Sequence, residues 1–295
     1  MPSPLVTVIC LCYNHARFVR EAIESVLNQR YAAIQLIVVD DASTDNSVEV
    51  IQQLVSKHSF IEFLPLQNNL GNCKAFNQGF ALVKGEYLID LSADDALLPT
   101  RIEEGVSALQ QAGKEYGVHF SDAEFISETG AHLGLHSDRF SHNSIPQGDI
   151  YKELINRYFI CPPTVMFTRE VIEQLNGYDE TLTYEDFDFW IRSSRTFKYV
   201  YSPTVLVKKR ITENALANKQ FAIFSRHSRT TLQVCEKILK LNRTREEQKA
   251  LSERILYEIK LNLGLLNFGI VVKYFFLWLK NKNVRFRPDS YRDET

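Results

Sequence analysis

Over the first hundred residues, apolar runs of strand length alternate with segments whose apolar residues recur at helical spacing, and no other feature constrains the fold as strongly. Strand-like runs at Leu5 to Cys12, Ile34 to Val39, Ile61 to Pro65 and Tyr87 to Leu91 are separated by amphipathic stretches at about Arg17 to Asn28, Asn46 to Lys57 and Gly71 to Val83. Such repeats need right-handed crossovers, so they predict a parallel sheet covered by helices. In the first helix Phe18, Ala22, Ser25, Val26 and Gln29 share a face, and Ser43 to Asn46 offer N-caps to the second.

After Pro99 the pattern predicts a helix through Glu104 and Leu109 and a strand at Tyr116 to Ser121. A polar stretch with Gly130, Gly134, Pro146 and Gly148 follows, expected to be loop-rich and to shape an acceptor site. In Tyr184 to Arg195, Phe187, Trp190 and Ile191 are spaced to anchor a helix whose start carries Glu185, Asp186 and Asp188. Beyond Asn214 there is no glycine until Gly264 and no proline until Pro288, which predicts two long helices, about 218–241 and 243–280. The expected architecture is therefore an α/β domain over 1–213 with a helical extension over 214–295. The apolar run from Leu261 to Lys280 is interrupted by Lys273, preceded by Lys260 and followed by Lys282, Arg285 and Arg287. That pattern suits a helix lying at a membrane interface over 261–287 better than one spanning it.

With a formal charge of -2 and a pI near 6.4, the chain carries no global electrostatic signal for nucleic acid. The five cysteines are odd in number and scattered, as expected of reduced, mostly buried thiols in a cytoplasmic protein. The N-terminal apolar stretch lacks a preceding basic region and reads as a core strand. His119, His132, His136 and His142 have no ligand spacing and are expected at the surface or partly buried.

Two acidic pairs, Asp40-Asp41 and Asp94-Asp95, fall where apolar runs end. Ligands of open α/β sheets bind at such strand ends. Carboxylates gathered there repel one another, so a divalent cation carrying a phosphorylated ligand is the economical explanation.

An ordered set of motifs resembles the family 2 glycosyltransferases, which have a GT-A fold. It comprises Pro4 to Ile9 leading into Tyr13-Asn14, Ser25 to Gln29, Val39 to Asp45, Asn68-x-x-Gly71 with Ala75 and Asn77, and Ser92-Ala93-Asp94-Asp95. Asn176 to Glu180, and Glu185-Asp186 with Trp190 and Arg192, complete it, so the resemblance covers about Pro4 to Asn214. It implies an inverting transfer of a sugar from a nucleoside-diphosphate donor, UDP-sugar favoured, to an acceptor hydroxyl. The usual setting would be a lipid-linked glycan in O-antigen or capsule assembly, with the protein cytoplasmic or peripheral at the inner face of the membrane. Carried over by position, Tyr13, Asn14, Asp40, Asp41, Asn68, Asn77, Ser92 and Ala93 would bind the nucleotide, Asp41 being favoured for the base. Asp94 would hold Mn²⁺ or Mg²⁺, and Asp186 would be the general base. Asp95, Glu185, Arg192 and Arg210 would support them: Arg192 by pairing with Asp186 or Glu185, Arg210 by adding positive charge near the diphosphate.

Two departures bear on metal use. The usual Asp-x-Asp is Ser92-Ala93-Asp94, and Arg-x-His is Arg210-Ile211-Thr212, so the resemblance implies weaker metal binding here. These departures also motivate a competing reading as a non-catalytic nucleotide-sugar-binding or membrane-associated scaffold. A nucleotidyltransferase would need a glycine-rich basic loop after the first strand, which Tyr13 to Ala16 does not offer.

Overall fold

A computed structural model describes residues 3–140, 145–212 and 226–285. His142, Asn214, Arg287 and the expected helix start near Asn218 lie outside the described residues. The alternation takes the form β1 (Val6–Cys12), α1 (Val19–Leu27), β2 (Ile34–Asp40), α2 (Ser47–Lys57), β3 (Glu62–Pro65), α3 (Asn72–Phe80) and β4 (Tyr87–Ser92). There follow β5 (Ala96–Leu97), α4 (Arg101–Ala112), β6 (Tyr116–Ile126), β7 (His132–Leu135), α5 (Tyr151–Asn156), β8 (Met166–Thr168), α6 (Arg169–Gln174), α7 (Asp186–Ser193) and β9 (Lys198–Arg210). Three longer helices complete the described chain: α8 (Arg226–Leu241), α9 (Arg245–Gly264) and α10 (Phe268–Asn283).

The strands form one sheet in the order β3-β2-β1-β4-β8-β6-β9-β5, with β7 on β6. β3, β2, β1 and β4 are parallel, as is β6 with β9, while β8 is antiparallel to both β4 and β6. All seven residues of β1 are buried, which explains why it reads as an unbroken apolar run rather than an alternating one. Val19, Ala22, Ile23 and Val26 of α1 pack with Val8, Cys10, Leu36 and Val38 in the main core. Burial of this apolar surface is the chief stabilising term.

The chain divides into two compact units, Met1–Ile150 with Phe159–Glu213, and Tyr151–Tyr158 with Asn214–Thr295. The second therefore takes up a segment inserted in the sequence of the first. Its grounds are local: Tyr151 Oη donates to Asn242 Oδ1 at 2.9 Å, and the buried Arg254 donates to Tyr158 Oη and Glu258 Oε1. The helix expected over 243–280 is interrupted. Leu266 takes a left-handed φ of 56°, with its N–H bonded to Leu263 O and Asn267 N–H bonded to Asn262 O, a Schellman stop that separates α9 from α10.

All five cysteines are buried free thiols. His119 and His136 are buried, deeper than the surface or partly buried placement expected of most of the histidines. His136 Nε2 lies 3.2 Å from Phe159 O, and His119 sits beside the fully buried Arg101.

Candidate active site

Register alone brings the two acidic pairs together. Cys12 pairs with Asp40 and Leu11 with Ser92, so the ends of β2 and β4 flank the end of β1. The loop after β1 is tied to the loop after β2: Asn14 N–H donates to Ser43 Oγ at 2.8 Å and Thr44 N–H to Asn14 Oδ1 at 2.7 Å. Ala16 N–H donates to Asp45 Oδ2 at 3.0 Å, and hydrogen bonds hold the Asp45 carboxyl below its usual range against the opposing effect of burial. Asn14 and Ala42 are both left-handed, with φ of 57° and 59°. A non-glycine residue pays for that conformation, so these side-chain bonds hold a strained pair of loops in one shape.

Asp40 is buried and its two oxygens accept from Ser43 N–H and Ser43 Oγ, so it fixes the turn. Asp41 accepts from the N–H groups of Leu70 and Gly71 at 2.7 and 2.8 Å, anchoring the loop that starts α3. Tyr13 and Asn68 are exposed. Asn77, expected at the nucleotide, serves another end: its amide accepts from Tyr178 N–H and donates to Tyr178 O and Glu180 Oε1. It clamps the turn at Gly177, where φ is +80° and an added Cβ would lie 2.7 Å from Asn77 Oδ1.

At the end of β4, Ser92 Oγ donates to Asp94 Oδ1 at 2.5 Å, and His15 Nε2 lies 4.0 Å from Asp94 Oδ2. Ala93 is buried and supplies the bend, its N–H bonded to Leu11 O. Asp95 Oδ1 accepts from Arg210 N–H at 2.8 Å, and burial together with neighbouring Asp94 pushes its carboxyl up to about 7. Arg210, expected to face the diphosphate, is corrected to a structural cation. It is buried, stacks on Phe18 at 4.7 Å, and donates to Asp94 O, Ser127 O, Glu128 O and the Glu21 carboxylate. Thr212 is buried as well.

The adjacent Lys209 was not anticipated from sequence. Burial opposes its charge, but the Cys161 thiol and the carboxylates of Asp95, Asp186 and Asp94 outweigh burial and hold its pKa above the ordinary lysine range. One half-buried ammonium thus feels acids from the β4 loop and from the start of α7 together.

The α7 acids occupy unequal environments. Burial and the charges of Asp186 and Asp90 raise Glu185 well above the carboxylate range, and its Oε2 accepts from Asn72 Nδ2. Asp186 is raised by burial, with Lys209 opposing. Arg192 does not pair with either: its Nε donates to the buried Asp188 Oδ2 at 2.6 Å, and its other nitrogens donate to Leu175 O and Gly177 O. It secures α7 to the preceding turn. Phe187, Trp190 and Ile191 are buried as the spacing required. A further acid escaped the sequence reading. Asp90, on the same face of β4 as Ser92, accepts from Tyr178 Oη at 3.1 Å and is pushed up to about 7 by burial, with Asp186 adding to the effect. A charged residue inside an otherwise apolar strand was the available signal.

Among the described residues no group of three or more His, Cys, Asp or Glu is arranged to hold a metal ion. Asp94 and His15 are the donors at hand, and His15 Nδ1 is buried without a partner. Such a sparse set fits Mg²⁺ or Mn²⁺, which keep water and take one or two carboxylates plus phosphate oxygens, better than a tightly pre-held ion.

A mixed sheet with acids gathered at the ends of β2 and β4, on either side of β1, and at the start of α7 defines the GT-A class of nucleotide-sugar transferase folds. The chain belongs to glycosyl transferase family 2, whose profile matches residues 7–175. It is 28% identical over 214 residues to an uncharacterized glycosyltransferase of Methanocaldococcus jannaschii, covering 72% of each chain. By fold it is similar to the mannosyltransferase PcManGT from Pyrobaculum calidifontis in complex with GDP-Man and Mn²⁺, with a TM-score of 0.66 and 16% identity over 98% of this chain and 78% of that one. It is likewise similar to S. aureus TarS in complex with UDP-GlcNAc, with a TM-score of 0.62 and 14% identity over 94% of this chain and 91% of that one.

Proposed function

We propose that this protein is an inverting glycosyltransferase that moves a sugar from a nucleoside diphosphate, UDP-sugar favoured, to an acceptor hydroxyl, the acceptor being a saccharide or lipid-linked glycan of a polysaccharide pathway such as O-antigen or capsule assembly. The observation that carries the reading is the strand register that sets Asp40-Asp41 and Asp94-Asp95 at the carboxyl ends of adjoining parallel strands, with the half-buried Lys209 held above its ordinary range by Asp95, Asp186 and Asp94. In this reading the acceptor oxygen bonds to the anomeric carbon from the face opposite the diphosphate. The carbon–oxygen bond to the diphosphate breaks with its electron pair leaving on the nucleotide, and the hydroxyl proton passes to Asp186.

The unequal acids support that assignment. Burial and the neighbouring Asp186 and Asp90 raise Glu185 well above the carboxylate range, whereas at Asp186 Lys209 opposes the effect of burial. Two neighbouring carboxyls with separated proton affinities are how one site divides acid and base roles. Asp94 and His15 would hold Mn²⁺ or Mg²⁺, which supplies charge neutralisation of the departing diphosphate. Lys209 lies where it could add to that neutralisation, taking the part first assigned to Arg210.

The test is donor turnover against donor binding. Asp186→Asn should lower kcat by about 10²- to 10⁴-fold with donor Kd held within about twofold, the usual scale for loss of a general base. Asp94→Ala should weaken donor binding in Mn²⁺ more than in its absence. Full turnover by Asp186→Asn, measured as nucleoside diphosphate release, would refute the base assignment.

A further inference from the structure

The largest group of exposed apolar side chains among the described residues belongs to the second unit, not to the site. On α10, Phe268, Val272, Phe275, Phe276 and Leu279 are 60, 52, 49, 58 and 37% exposed. Tyr274, Leu277 and Asn281 of the same helix are buried, and Asn281 Nδ2 donates to Gln248 O and Ser252 Oγ of α9. At about 100° per residue, the exposed five fall in one stripe roughly opposite the buried three. The same rotation sets Lys282 along one flank of the stripe and Lys273 with Lys280 along the other. Leu263 and Leu266, 45 and 60% exposed, add apolar surface at the turn that precedes α10.

From residue 259 to residue 285 the chain has five cations, Lys260, Lys273, Lys280, Lys282 and Arg285, and no aspartate or glutamate. A stripe of aromatic and aliphatic side chains bordered on both sides by lysines, with no acid in its own stretch of sequence, is the form of a helix lying in a lipid interface: the apolar face enters the acyl boundary and the long lysine stems carry their charges up to the headgroups. Sixteen residues rise about 24 Å, short of the roughly 30 Å hydrocarbon core, and no described helix is long and apolar enough to cross a membrane. Pairing this face with a second copy of the chain would bring two uncompensated sets of five cations together, whereas an anionic leaflet offers the complementary charge.

We infer that α10 is a monotopic anchor that seats the second unit on an anionic bilayer surface through Phe268, Val272, Phe275, Phe276 and Leu279, with Lys273, Lys280 and Lys282 reading the headgroup charge. The inference stands independently of the glycosyl-transfer reading, because none of these residues belongs to the acidic site.

The experiment is cosedimentation of the full chain with extruded vesicles of phosphatidylcholine alone or with one quarter phosphatidylglycerol. Wild type should pellet with the anionic vesicles at least tenfold more strongly than with the neutral ones, less so as salt is raised. Phe275→Ser with Phe276→Ser should lose at least tenfold of that binding, as should the triple change of Lys273, Lys280 and Lys282 to Gln. Because all five side chains are exposed, the variants should keep the wild-type circular dichroism and Tm, and donor hydrolysis in solution should be unaltered. Equal binding to both vesicle types would overturn the charge assignment, and retained binding by the Phe variant would overturn the stripe. A wild type that ignores vesicles but forms a concentration-dependent dimer abolished by the Phe variant would make the face a self-association surface and overturn the proposal.

Discussion

At the scale of single residues, the site is decided by which charges are already spent. Arg210 and Lys209 are neighbours in sequence and opposite in availability: the guanidinium is consumed by a backbone carbonyl network and Glu21, whereas the ammonium is left among carboxylates. Arginine's fork suits several carbonyls at once, and lysine's compact charge suits a phosphate. On that ground Lys209→Met should weaken binding of nucleoside diphosphate by about 10- to 100-fold, the scale of a lost charge-assisted hydrogen bond, and leave binding of the free nucleoside unchanged. Calorimetric titration of the pair of ligands into wild type and variant checks this, and equal losses for both would count against the assignment.

His136 gives a pH dependence of opposite origin. Burial pulls its pKa down to about 4, Asp122 only partly opposing, and the neutral ring keeps Nε2 toward Phe159 O while Nδ1 has no partner. Between about 4 and the ordinary 6.5 the unfolded chain binds a proton that the folded chain refuses, so stability rises with pH through that window. The contribution is fully present above 6.5 and lost as pH falls through 4, amounting to about 3 kcal/mol. Urea denaturation of His136→Gln at pH 6.5 and 4.5 should show a smaller acid loss than wild type, and parallel losses would contradict the buried neutral imidazole.

At the scale of elements, the turn between α6 and α7 fixes the start of α7, where the proposed base Asp186 stands. Asn77 on α3 grips it from one side and Arg192 on α7 from the other, through Tyr178, Leu175 and Gly177. Asn77→Ala leaves Tyr178 N–H and Tyr178 O without that partner, which should cost about 1–3 kcal/mol in the urea midpoint and reduce kcat more than donor affinity. Unchanged stability would show that the clamp is replaceable by water. The parallel strands and first four helices were legible because each carries its own periodicity. β9 was not, since Lys198, Pro203, Lys208, Lys209 and Arg210 obscure any alternation in a strand whose pairing with β6 shifts register three times. β8 has only three residues and offers too little pattern to read. Missing β9 is what hid Lys209, and the break between α9 and α10 was hidden because a leucine, rather than glycine, takes the left-handed position.

At the scale of the whole molecule, the sequence by itself determined the α/β class, the order of strands and helices through Ser92, the acids at the ends of β2 and β4, the anchoring face of α7 and the apolar, basic character of the last helix. These follow from local spacing, which the chain carries wherever it folds. Tertiary structure alone decided what each polar group does. Asp40 and Asn77 became clamps, Arg210 a buried tie and Arg192 the partner of Asp188, while Lys209, Asp90 and His15 entered the site. The physical reason is that a charge's role depends on its desolvation and on partners as far as 189 positions away in sequence, and no periodicity within one element encodes those.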